Sequence, residues 1–125
     1  MKQLFLICAA AAMLCVFAAC SHRAVINEPS PTQAAKSEMT YDEAKNVIKN
    51  ALLNPPTGKR PRNPGVEELA SRATDITLSD RRGYCLVDVL QSDGKAFLRF
   101  YVEDRAAGER FAEAVWRVRR DLKKE

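Results

Sequence analysis

Two runs of β-branched and aromatic residues, joined by a short polar segment, constrain the fold of this chain more than any other feature. The runs cover 83–91 and 95–103, and the segment between them is Ser92-Asp93-Gly94. Asp-Gly between two such runs is typical of a two-residue β-turn with positive φ angles. The sequence therefore predicts a β-hairpin over 83–103.

A two-residue loop at Asp93 and Gly94 sets a register that can be checked against the side chains. On one face every pair is apolar: Cys85 with Val102, Val87 with Phe100, and Val89 with Leu98. On the other face Asp88 lies opposite Arg99, and opposite charges support the register independently. The other residues of this second face are largely apolar, in the pairs Leu86 with Tyr101, Leu90 with Phe97, and Tyr84 with Glu103. A face with this many apolar residues is expected to be shielded from water by the first helix, by another layer of strands or by a partner.

Helical patterns flank the hairpin in the sequence. Thr40 and Glu43 form a capping box at the start of a helix predicted over 41–54, and Pro55 forbids its continuation. Apolar residues at helical spacing predict a second helix over 105–123; they are Phe111, Val115, Val118 and Leu122. A short helix around Leu69 and a short strand near 75–79 complete the pattern.

These elements predict an α+β fold in which a small antiparallel sheet is packed by an N-terminal and a C-terminal helix. A hairpin followed by an amphipathic C-terminal helix is also similar to the end of a pleckstrin-homology-like domain. This resemblance covers less than half of the chain and lacks most of the strands of such a barrel.

The amino terminus has the pattern of a secretion signal. A short positive region at Lys2 is followed by an uncharged run from Leu4 to Ala19, which is short for a membrane span of about 20 residues. The run ends at Phe17-Ala18-Ala19-Cys20, with small residues where a signal peptidase needs narrow side chains. An ordinary secretory signal cleaved after the alanines, or one uncleaved membrane helix, are the alternatives.

The Phe17-Ala18-Ala19-Cys20 segment resembles the lipobox of bacterial lipoproteins, although Phe17 replaces the usual leucine. The resemblance implies a thioether-linked diacylglycerol on Cys20, cleavage before it, and acylation of the new amino group. Two or more chains suffice for stable anchoring. Ser21, where an aspartate would mark inner-membrane retention in that family, implies the outer membrane facing the periplasm.

The chain is therefore expected to comprise a lipoprotein signal peptide over 1–19, lipidated Cys20 with a flexible tether over 20–39, and one domain over 40–125. Two prolines and the lack of any periodicity suggest the tether. The net charge of +4 is spread over mixed signs, which argues against a nucleic-acid partner. We expect no cofactor and no metal site, because Cys85 is the sole cysteine of the domain and the only histidine is His22.

No catalytic residue is predicted. Cys85 is expected in the core, since the domain offers no histidine to activate it. Trp116 lies about 140° around the C-terminal helix from Phe111, together with Arg119 and Lys123. We expect this side of the helix, or Tyr101 and Leu86 on the hairpin, to contact a membrane or a partner protein. The alternative for Trp116 is that the first helix or the proline-rich loop covers it.

The leading functional hypothesis is a non-catalytic, lipid-anchored envelope protein that binds another envelope component; its oligomeric state is left open. A second hypothesis is an envelope hydrolase or transferase that uses carboxylates from Asp75, Asp80, Asp88 and Glu103. A third is a structural protein that self-associates through Leu86 and Tyr101. The basic loop Lys59-Arg60-Pro61-Arg62 is interpreted as solvated, with docking on anionic lipid or cell-wall polymer as the alternative.

Overall fold

A computed structural model of the protein describes residues 23–29 and 39–123. In these ranges the element order is β1 (Arg23–Asn27), α1 (Tyr41–Leu53), α2 (Val66–Arg72), β2 (Asp75–Arg81), β3 (Tyr84–Leu90), β4 (Ala96–Val102) and α3 (Arg105–Lys123). The described strands form an antiparallel sheet in the order β1-β2-β3-β4. The predicted α+β fold is confirmed, and both long helices lie within one residue of their predicted ends.

The ends of the helices follow from local capping. The Glu43 N–H donates to Oγ1 of Thr40 over 3.1 Å, which satisfies one of the unpaired donors at the start of α1. In the same way, the Ala107 N–H donates to Oδ1 of Asp104 over 2.8 Å at the start of α3. Asn54 is the C-cap of α1, directly before Pro55.

The hairpin of β3 and β4 has the predicted register over most of its length, including the pair Asp88 with Arg99. Its loop differs, because the Gly94 N–H donates to the carbonyl of Gln91 and the Gln91 N–H donates to the carbonyl of Lys95. The loop thus contains three residues, with Gly94 at φ 80°. A bulge near Phe97 then restores the register, so that Leu90 pairs with Ala96 and not with Phe97.

The core lies between the sheet and the helices. We call the helix-covered side of the sheet the inner face; α3 packs on it where Gly108 approaches Leu78 and Cys85. An added Cβ at Gly108 would lie 2.9 Å from Cδ2 of Leu78, so the Leu78 side chain would have to shift if the glycine were replaced. Helices α1 and α2 pack on α3, and their buried residues belong to the same cluster as the inner face.

Strand β1 corrects the prediction of a flexible tether over 20–39. All five residues of β1 pair with β2, from Arg23 opposite Ser79 to Asn27 opposite Asp75. The tether prediction is wrong for these residues, since the short apolar run around Val25 and Ile26 completes the edge of the sheet. Residues 20–22 and 30–38 lie outside the described residues, as does the predicted signal peptide over 1–19.

Candidate interaction surface

The face of the sheet opposite the helices, here called the outer face, brings together most of the hairpin residues predicted as contacts. Leu86 lies outside the core cluster, although it is only 6% exposed. The register places it between Ser79 on β2 and Tyr101 on β4. The prediction that Phe97 lies on this face is wrong, because the bulge turns its side chain toward the core cluster. There the guanidinium carbon of Arg72 lies 4.3 Å from the centroid of the Phe97 ring.

Exposed apolar groups mark the outer face. Three large hydrophobic residues of the described chain are exposed, and two of them, Val25 at 54% and Tyr84 at 39%, lie on this face. The rings of Tyr84 and Tyr101 meet edge to face with centroids 6.2 Å apart. Such pairs form a rigid, amphipathic contact surface with little side-chain entropy to lose on binding.

An ion pair lies in the centre of the outer face. Arg99 donates from Nε to Oδ1 of Asp88 over 2.6 Å, and from an Nη to Oδ2 over 3.4 Å. Asp88 raises the pKa of Arg99, first by this hydrogen bond and then by charge attraction. The Asp88 side chain is 12% exposed and that of Arg99 is 68% exposed. The guanidinium is thus held in place yet open to solvent, and it can fix the orientation of a partner.

Trp116 is placed differently from the prediction of an exposed contact residue. It is 4% exposed and belongs to the core cluster. Arg119, three residues further along α3, donates to the carbonyls of Ala70 and Ser71 at the end of α2. This side of α3 therefore packs against α2, and the prediction that Trp116 offers a free contact is wrong. Trp116 is covered, as the alternative expected, but that alternative named the first helix or the proline-rich loop, whereas the hydrogen bonds of neighbouring Arg119 lead to α2.

Arg119 and Lys123 hold the chain together in the structure. Both bind the carboxylate of Glu28, which directly follows β1, at 3.2 Å from Nε of Arg119 and 3.0 Å from Nζ of Lys123. The sequence gives little sign of this, because Glu28 is more than ninety residues away from both cations. Their interpretation as contacts for a partner is therefore replaced by a role in fixing β1.

Two of the carboxylates named for the enzyme hypothesis lie on opposite faces of the sheet, and the described thiol is buried. Asp80 pairs with Arg105 at 3.0 Å beside the inner face, whereas Asp88 pairs with Arg99 on the outer face. Cys85 is fully buried, and burial, followed by the charge of Asp80, raises the pKa of its thiol. Among the described residues, no group of three or more Asp, Glu, His or Cys side chains could hold a metal ion.

An open groove beside the outer face was not predicted. It has a volume of about 410 Å³ and lies between the end of α1, the start of α3 and the end of β4. Val47, Ala51 and Phe111 are among its apolar lining residues, while Glu103 and Arg110 are charged. Tyr101 also lines the groove, which makes it the residue shared between the groove and the outer face.

Comparison of the chain with protein-family models, with curated proteins and with solved structures gave no match. Among the described helices, none is long and apolar enough to cross a bilayer. Cys20 and the segment that resembles a lipobox lie outside the described residues.

Proposed function

We propose that this protein is a non-catalytic lipoprotein of the bacterial cell envelope, anchored by lipid on Cys20, which binds a second envelope protein through its outer face. The anchor is supported by the uncharged run that ends in Phe17-Ala18-Ala19-Cys20. By the same resemblance, Ser21 favours the outer membrane, with the domain in the periplasm.

The observation that carries the binding role is the composition of the outer face. Val25 and Tyr84 are exposed there, around the fixed Arg99 and Asp88 pair, while α3 packs on the inner face and α1 and α2 pack on α3. Aromatic residues and arginine are the side chains that contribute most to protein interfaces. A partner of matching chemistry presents an apolar surface with a carboxylate opposite Arg99.

The anchor is tested by metabolic labelling with a fatty acid in cells that express the full chain. We expect label on the wild-type protein and none on Cys20→Ser, because the thioether needs that thiol. Cys85→Ser is the matched control and should keep the label. Labelling of Cys20→Ser would overturn the anchor.

The binding face is tested by photo-cross-linking in intact cells. A photoreactive amino acid at Tyr84 should give a discrete adduct with an envelope protein, and Tyr101→Ala or Val25→Ser should weaken it. The control position is Asn46, an exposed residue of α1 on the helical side of the domain. Equal adducts from positions 84 and 46, or an adduct that neither substitution affects, would contradict the proposal. An adduct at twice the mass of the chain would favour self-association instead.

A further inference from the structure

The position of β1 limits how far the domain can stand from a lipid on Cys20. Strand β1 begins at Arg23, the third residue after Cys20. Three residues of chain span at most about 11 Å, whereas a tether as far as Met39 would allow several times that distance. If Cys20 is acylated, the start of β1 is therefore held within about 11 Å of the Cα of the lipid-bearing residue.

The register shows which other residues share this end of the sheet, here called the Arg81 end. Arg23 pairs with Ser79, so the turn between β2 and β3 lies beside the start of β1. Arg81 is the last residue of β2, Arg82 and Gly83 form the turn, and Tyr84 begins β3; all four are exposed. Neither Arg81 nor Arg82 forms an ion pair with the described residues. Two exposed cations suit the phosphate groups at the surface of an anionic bilayer.

The acidic groups at the Arg81 end are largely engaged elsewhere. Asp80 binds Arg105, and Asp104 accepts the hydrogen bond that caps α3. Glu103 is a further exposed carboxylate at this end, and it lines the groove beside α1. The guanidinium groups of Arg81 and Arg82 are therefore available to bind phosphate.

We infer that the acylated protein stands on the membrane with its Arg81 end toward the bilayer, where Arg81 and Arg82 bind the phosphates of anionic phospholipids. The inference rests on the lipid anchor proposed above. It leaves the outer face roughly perpendicular to the membrane and open to a neighbouring envelope protein.

Arg62, the last residue of the second basic segment Lys59 to Arg62, lies at the opposite end of the sheet. Arg62 lines a pocket together with Phe97 at the start of β4, close to the loop at Ser92. Seven residues of strand separate the two ends by about 20 Å. This end, here called the Ser92 end, therefore points away from the bilayer, and docking of Arg62 on the same membrane is not expected.

The test measures the orientation of the acylated full-length protein in vesicles of phosphatidylethanolamine and phosphatidylglycerol. A fluorophore is attached at Glu103→Cys, at the Arg81 end, or at Ser92→Cys, at the Ser92 end; buried Cys85 does not compete for the label. Lipids that carry a quencher on the head group should quench the label at position 103 strongly and the label at position 92 weakly. Equal quenching, or stronger quenching at position 92, would overturn the inference.

A pair of matched substitutions tests the role of the arginines. Each arginine near an anionic surface contributes roughly a fivefold preference, so R81Q/R82Q should lower the ratio of docked to undocked protein by about 25-fold. Quenching at position 103 should then fall and quenching at position 92 should rise, whereas R60Q/R62Q removes the same charge and should change neither. If R81Q/R82Q has no effect, or R60Q/R62Q has the larger one, the head-group contact is wrong.

Mass spectrometry of the same preparations separates the two proposals. A mass without acyl chains on Cys20 would overturn both the anchor and the orientation. Acylated protein with equal quenching of the two labels would overturn the orientation and leave the anchor intact.

Discussion

Arg119 binds Glu28 across ninety-one residues of sequence, with Nε of the arginine 3.2 Å from Oε2 of the glutamate. The same guanidinium donates to the carbonyls of Ala70 and Ser71, over 3.0 and 2.8 Å. One side chain of α3 thus joins the end of β1 to the end of α2. This connection keeps the amino-terminal edge strand in fixed relation to the rest of the domain.

We expect Arg119→Ala to lower the free energy of unfolding by about 2 kcal/mol, because it removes an ion pair and leaves two backbone carbonyls without their donor. Lys123→Ala should cost less than about 0.5 kcal/mol, since Glu28 is the one partner of Nζ among the described residues and the Lys123 side chain is 57% exposed. Urea unfolding measures both values. Equal costs would mean that the carbonyls of Ala70 and Ser71 contribute nothing through Arg119.

Gly108→Ala tests the close approach of α3 to the sheet. Alanine favours a helix by about 1 kcal/mol over glycine, but its Cβ would overlap the fully buried side chain of Leu78. Overpacking costs about 1–3 kcal/mol, so we expect a net loss of about 1 kcal/mol in the free energy of unfolding. In a Leu78→Val background the loss should shrink or change sign, as a double-mutant cycle would show. A stabilised Gly108→Ala protein would show that Leu78 moves freely.

The pH dependence of stability should depend on Glu67 at the start of α2. Its own backbone N–H and then Lys45, 3.1 Å away, hold the pKa of Glu67 below its ordinary value of 4.5. A lowered carboxylate pKa adds stability that is complete above about pH 4.5 and is lost as the pH falls through the folded pKa.

Urea unfolding at a series of pH values should therefore show the stability difference between wild type and Glu67→Gln shrinking below pH 4.5. The same comparison in a Lys45→Gln background should show a smaller difference at neutral pH. A difference that is constant down to pH 3 would contradict the role of Glu67.

Cys85 should react with thiol reagents only when the domain unfolds. The side chain is fully buried, and burial raises the pKa of the thiol above its ordinary value of 9.0. In a chain whose other three cysteines are changed to serine, the rate of modification at pH 8 should follow the fraction unfolded in urea. Glu103→Cys in the same background supplies an exposed thiol that should react at once. Rapid modification of Cys85 in the native domain would contradict this prediction.

Local patterns in the sequence predicted the elements and most of the strand register. The apolar side of α1 was predicted correctly, since Ala44, Ile48 and Leu52 are all buried. Trp116 was predicted on the wrong side because α3 is buried on more than one side, against the sheet and against α2. The spacing of apolar residues along one side of a helix does not reveal a second buried side. Strand β1 was missed for a related reason. Five residues with two large apolar side chains form a strand only because β2 offers them an unpaired edge.

The candidate surface was predicted in part. Tyr84, Leu86 and Tyr101 lie together as the hairpin register required, with the pair of Asp88 and Arg99 among them. Val25 could not be assigned, because its position depends on β1. Phe97 could not be placed either, since the bulge that turns it to the inner side adds one residue to β4 and thereby cancels the extra residue of the loop.

The Asp93→Gly substitution distinguishes the observed three-residue loop of the hairpin from the predicted two-residue loop. In a two-residue loop Asp93 would have a positive φ, and glycine there would be neutral or stabilising. In the observed three-residue loop, Oδ1 of Asp93 accepts a hydrogen bond from the Lys95 N–H over 2.8 Å, so the substitution removes a bond and adds chain entropy. We expect Asp93→Gly to cost about 1 kcal/mol in urea unfolding, and Asp93→Asn to cost less because its amide oxygen can still accept. A stabilised Asp93→Gly protein would instead support the two-residue loop and the pairing of Leu90 with Phe97.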